Sequence, residues 1–125
     1  MKKIAVLLSG LLLSSTFIST SVYAKDVDVG EAMKVMSKSY RLVMKDTDLA
    51  SFKKDLATFR AAAVEAQSGK IEDAKMGDFA AGMKALIDET DVVSKLANDG
   101  KLDAAKSEAA KLRDLMKNYH HKLGV

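Results

Sequence analysis

The sequence predicts an all-α protein, an antiparallel up-down-up-down bundle of four helices, and three observations carry that expectation. Apolar residues recur at helical spacing through four segments. No run of alternating β-branched residues reads as a strand. Only a few short clusters of turn-forming residues, Asp46-Thr47-Asp48, Ser68-Gly69-Lys70 and Asn98-Asp99-Gly100, interrupt a chain otherwise rich in Ala, Lys, Leu, Met, Asp and Glu. The chain has 125 residues and no Cys, Pro or Trp, a length that suits one domain.

The first residues stand apart from the rest. A positive MKK start, the apolar run IAVLLSGLLL and a polar stretch ending Val22-Tyr23-Ala24 have the build of a secretory signal peptide cleaved after Ala24. The apolar run falls short of the ~20 residues that a membrane span needs. Residues 1–24 are therefore expected to be removed, leaving a domain of residues 25–125 in the periplasm, with no membrane attachment after cleavage. That compartment is oxidising, yet the chain has no Cys, so its stability cannot come from disulfides. Of the 20 basic residues Lys2 and Lys3 leave with the leader, so 18 Lys and Arg face 17 Asp and Glu, a net charge of +1. With neither a basic patch nor enough aromatics to stack bases, nucleic acid is not an expected partner.

Each segment carries a stripe. The first, about Asp28 to Lys45, places Val29, Ala32, Met33, Met36, Tyr40, Val43 and Met44 on one face. The second, about Asp48 to Gln67, does so with Phe52, Leu56, Phe59, Ala63 and Ala66. The third, about Lys75 to Asp99, uses Met76, Phe79, Met83, Leu86, Thr90, Val93 and Leu96. The fourth, about Lys101 to Lys122, uses Leu102, Ala105, Ala109, Leu112, Met116, then Tyr119 or His120, and Leu123. Such helices are unstable alone and are stabilised by packing their stripes together. Short connections make the neighbours antiparallel, so the start of the first helix and the end of the fourth lie at one end of the bundle. At ~1.5 Å per residue, Met33 and His120 lie at similar depth below that end.

His120 and His121 are adjacent, and neighbours on a helix point about 100° apart. His120 follows Met116 by four residues and precedes Leu123 by three, which puts it on or beside the apolar face; His121 shares the polar face with Lys117 and Asp114. Periodicity alone leaves His120 two readings. It is a boundary residue with one ring nitrogen on water, or it is a metal ligand, for which neutral imidazole is the commonest donor. A thioether opposite it, such as Met33, is a known axial partner of His on haem iron, although Met at helical spacing is more often core filler. Phe79 and Met83 would then be apolar walls. Copper or another soft metal on Met33, Met36 and His120 is a further possibility of the same donor set.

The segments RAAAVEAQ (60–67), KLANDGKLDAAKSEAAKL (95–112) and NYHHK (118–122), in this order and spacing, resemble the cytochrome b562 family over essentially the whole mature chain, residues 26–123. That resemblance implies a periplasmic electron carrier, not an enzyme, holding one non-covalent haem b per chain. It also implies that Met33 and His120 are the axial iron ligands, with Phe79 against the haem. The chain departs from the family pattern in places. Met83 stands where a second Phe is common, and Met116 stands where the family often has an Arg four residues before the ligand His. The C-terminal Leu123-Gly124-Val125 has no basic residue. Fewer basic partners for the haem propionates would weaken or reorient binding, and Lys122, Lys117 or Arg113 are the candidates to compensate. Relatives with covalent haem carry Cys-x-x-Cys-His here; the present MKNYH has no Cys, so the haem should be exchangeable. The expected partner is a redox protein that the sequence does not identify, and the chain is expected to be a monomer. From a different class, the bundle would be a haem-free periplasmic binding or adaptor module, a reading that Met116 favours. No nucleophile–base pair, acidic metal cluster or Gly-rich phosphate loop argues for catalysis.

Overall fold

A computed structural model describes residues 27–125; the expected signal peptide and its cleavage point lie outside the described residues. Helices α1 (Val29–Lys45), α2 (Leu49–Gln67), α3 (Met76–Asn98) and α4 (Leu102–Leu123) follow one another, with a 3-10 turn, Asp73–Lys75, leading into α3. The bounds agree with the sequence stripes to within a residue or so, and the 3-10 turn is the element that periodicity did not anticipate. Among the described residues there is no strand, and no helix is long and apolar enough to cross a membrane.

The helix ends follow their chemistry. Asp28 accepts from the Glu31 backbone N–H at 3.1 Å, and Asp48 accepts from that of Ser51 at 2.9 Å, so both first hairpin helices begin on a carboxylate cap. The same Ser51 contacts hold the Asp48 carboxyl below the usual range. Gly100 and Gly124 have φ of +79° and +75°, the left-handed conformation that closes α3 and α4. At α4 the Val125 N–H reaches the His120 carbonyl at 3.0 Å, and the Gly124 N–H reaches that of His121 at 3.2 Å.

The helices pack in sequence order around one core, α1 on α2, α2 on α3, α3 on α4, and α4 back on α1; the last seam is the sparsest of the four. Phe52, Phe59, Phe79, Met36, Leu112, Val43 and Val93 are fully buried there. Buried alanines, among them Ala63 and Ala66 on α2 and Ala97, Ala105 and Ala109 on α3 and α4, let the helices approach closely. Thr90, wholly buried, satisfies its hydroxyl by donating to the Ile87 carbonyl at 2.7 Å.

Two of the three connections, residues 46–48 and 99–101, lie at one end of the bundle. That end is tied further by the Lys106 ammonium, which donates to the Asp46 carbonyl at 2.7 Å and so joins α4 to the C-terminus of α1. The opposite end has one connection, residues 68–75, and the first turn of α1 and last turn of α4 stand there unjoined. This connection lies against α1: a Cβ on Gly69 would come within 2.5 Å of Val29 Cγ2. It also folds back on α3 through the Ile71 N–H, 3.4 Å from the Met76 sulfur.

Glu89 on α3 faces Glu108 on α4. Burial, then the hydrogen bond to Glu108 and its charge, push the Glu89 carboxyl from 4.5 up to about 7, with Lys111 opposing. The same hydrogen bond and that of Lys111, whose Nζ is 3.1 Å from Glu108, lower Glu108. Glu89 Oε2 is buried and unpaired as a carboxylate, a need that one proton shared with Glu108 meets. Asp46 is raised in the same sense, to about 6, by burial and its hydrogen bond to Asp55. A folded pKa above the unfolded one gives a contribution that is full below about 4.5 for Glu89 and is lost as pH rises through about 7. Thermal unfolding followed by circular dichroism should therefore show the wild-type midpoint dropping between pH 5 and pH 8 by several degrees more than that of Glu89→Gln. Equal drops would remove the carboxyl pair as the cause.

Candidate functional site

At the end with a single connection, the sparse α1–α4 seam opens into a cavity of about 270 Å³. Its walls come from every element that reaches this end except α2: Val29 and Met33 of α1, Ile71 from the connection, Phe79 of α3, and His120 and Leu123 of α4. A smaller void of about 20 Å³ lies deeper, between α3 and α4. It shares Met33, Phe79, His120 and Leu123 with the larger one and adds Met83, Leu86, Met116 and Tyr119. The two voids form one slot that narrows toward the core.

All five residues singled out from the sequence line this slot. Met33 is half-buried against the core and reaches both voids, as does Phe79, which is almost wholly buried. Met83, buried, and Met116, half-buried, line the deeper part alone. His120 also borders both voids, but its side chain is exposed. The inward orientation expected from helix phase thus places it at the mouth of an open cavity and not in sealed core. Met36 is fully buried and lines neither void, so the structure does not bring it to Met33 and His120 as a three-donor soft-metal site would need. Among the described residues no three His, Cys, Asp or Glu side chains cluster as a metal site.

Helix phase left Tyr119 and His120 as alternatives for one stripe position, and a glycine decides between them. Gly82 on α3 is buried, and a Cβ there would stand 2.8 Å from Tyr119 Cγ and 2.9 Å from Cδ1. The Tyr119 ring lies on the α3 backbone at this gap, and Lys122 covers it with Nζ 4.9 Å from the ring centroid. With Tyr119 turned onto α3, the next residue, His120, turns toward α1 and the slot.

The basic residues proposed from sequence to serve this end do not line it: Arg113, Lys117 and Lys122 are exposed. Lys75 does, together with Glu72. Sequence reasoning passed over both because they lie in the turn before α3. Lys75 precedes Phe79 by four residues, and that spacing was the available signal.

An apolar slot between facing helices, with a thioether on one wall and an imidazole at its mouth, is the kind of place in which four-helix bundles hold cofactors. The chain belongs to the cytochrome b562 family: the profile of that family, described as cytochrome b562, matches residues 28–123. It is 38% identical over 119 residues to a probable soluble cytochrome b562 of Yersinia pestis, covering 89% of this chain and 93% of the relative. It is 34% identical over 116 residues to an uncharacterised protein of Pasteurella multocida (strain Pm70), covering 89% and 94%.

The Gly82–Tyr119 contact has a measurable consequence. Gly82→Ala should gain about 1 kcal/mol in helix propensity and lose about 1–3 kcal/mol to overpacking, for a net destabilisation in urea unfolding. In a Tyr119→Ala background the same substitution should stabilise. Destabilisation in both backgrounds would show that the ring is not what Gly82 accommodates.

Proposed function

We propose that this chain is a periplasmic haem b protein that carries electrons, with Met33 and His120 as the axial ligands. The observation that carries the reading is the joining of Met33, Phe79 and His120 in one slot by three different helices. Family membership supports it. The donor set fits the group: a thioether and a neutral imidazole are both haem-iron ligands, and the remaining lining is apolar apart from Glu72 and Lys75 of the larger cavity and the Tyr119 ring of the deeper void. At about 270 Å³ the cavity lies just under the ~300–1,000 Å³ usual for small-molecule sites. The cavity opens at the bundle end, where a haem edge would reach solvent and electrons could pass.

When bound, haem supplies one-electron chemistry at iron. The protein's own part is positional. Met33 and His120 would fill both axial positions, which leaves no open site for oxygen chemistry and makes the role transfer, not catalysis. The soft Met33 sulfur favours the reduced state relative to a second His. Phe79, Met83, Leu86 and Leu123 keep water from the inner part of the slot, which also tunes the potential. With no Cys in the chain, the haem is held without covalent attachment, one per chain.

Adding haem to the purified protein should give the absorption bands of low-spin reduced haem. Met33→Ala and His120→Ala should each lose those bands or convert them to high-spin ones. A protein that takes up no haem would overturn the proposal in favour of the haem-free binding module. For the location, the mature chain recovered from the periplasmic fraction should begin at Lys25 on N-terminal sequencing; an intact Met1 in the cytoplasmic fraction would contradict secretion.

A further inference from the structure

The mouth of the slot holds two side chains of full charge, Glu72 and Lys75. They stand in the turn that leads into α3. Their pairing is loose: Lys75 Nζ is 3.9 Å from Glu72 Oε1, and the two side chains are 36% and 73% exposed. An ion pair that long and that wet contributes little, so the Lys75 ammonium is available to another anion.

Lys75 Nζ also stands 3.9 Å from the place where a Cβ on Gly124 would be. The last three residues, Leu123-Gly124-Val125, carry no basic side chain, and Met116, one turn before His120, is uncharged. Lys75 thus brings an ammonium, from a different element, to the space beside the end of α4. Lys70, beside Ile71 in the same connection, is exposed and borders neither void. Lys122 lies over the Tyr119 ring, and Arg113 and Lys117 border neither void.

The geometry points to Lys75 as the cation that pairs with a carboxylate of the bound cofactor at the slot mouth, with Glu72 as a weak competing anion. This rests on the haem reading above, since haem b carries two propionates on one edge. An ammonium on a flexible stem, offering three donors, can leave Glu72 and follow such a carboxylate with little strain. The apolar inner slot and the charged mouth together orient the edge that carries the acids outward.

The test compares ferric haem with its dimethyl ester, which has no carboxylates, both presented to the apo-protein in the same mild detergent. Lys75→Gln should weaken haem binding about tenfold, the size of a charge-assisted hydrogen bond that is partly screened, and leave ester binding unchanged. Lys75→Arg should retain most of the affinity for haem, and Glu72→Gln should raise it. The thermal midpoint of each apo variant should match that of the wild type, which keeps a folding defect from mimicking the result. Equal affinity of Lys75→Gln and wild type for haem would overturn the role of Lys75 while leaving haem binding intact. Equal weakening toward haem and ester would overturn it as well, by showing a structural effect. Failure of the wild type to bind either compound would instead remove the haem reading on which the inference stands.

Discussion

Four helices joined in order need three connections, and three cannot be shared equally between two ends. Here two tight turns and the Lys106–Asp46 bond draw one end together, and the other keeps a single longer connection. The first turn of α1 and the last turn of α4 therefore face each other without a covalent link or close packing. The slot follows from that imbalance. The bundle can open only where the chain leaves the helices free to stand apart, and there Met33 opens the second turn of α1 while His120 lies in the last turn of α4.

The core and the slot share a wall: Phe79, Met83, Leu86 and Leu123 are buried in the one and line the other. Phe52, Phe59, Val43, Val93 and Leu112 are sealed and hold the helices together. Met33, His120 and Leu123 belong to elements already fixed by that core, so their positions do not depend on contacts within the slot. Small residues set the finer distances. Gly82 admits the Tyr119 ring, a close contact that accompanies the turning of the next residue, His120, toward the slot. Preorganisation of this kind reduces the ordering that ligand binding would otherwise require.

Helix count, order, direction and nearly every bound were legible in the sequence, because stripes of residues such as Phe52, Leu56 and Phe59 have a period that only helices satisfy. So was the meeting of Met33, Phe79 and His120, since antiparallel topology fixes which ends coincide. The exposure of His120 was one of two readings that helix phase left open. Periodicity reports which way a side chain faces and says nothing of whether the space in front of it is filled. The choice between Tyr119 and His120 depended on Gly82, some forty residues away, whose missing side chain has no periodic signature. Lys75 was overlooked for a related reason: its spacing from Phe79 gives a direction only, and its place over the slot comes from the way the connection folds back on Val29 and Met76. The pairing of Glu89 with Glu108 is likewise a product of helix rotation.

The closure of α4 has a practical side. His120 lies in a last turn, a place where helices commonly fray, yet its carbonyl is held by the Val125 N–H and the turn is anchored by buried Leu123. Val125 is itself part of the cavity wall. Anything appended after it would begin at the rim of the slot. A polyhistidine tag at this terminus would deliver rival imidazoles beside His120 and make a spectrum hard to assign to His120 itself. A tag placed ahead of α1 on the mature chain and then removed, or purification by charge, avoids the difficulty.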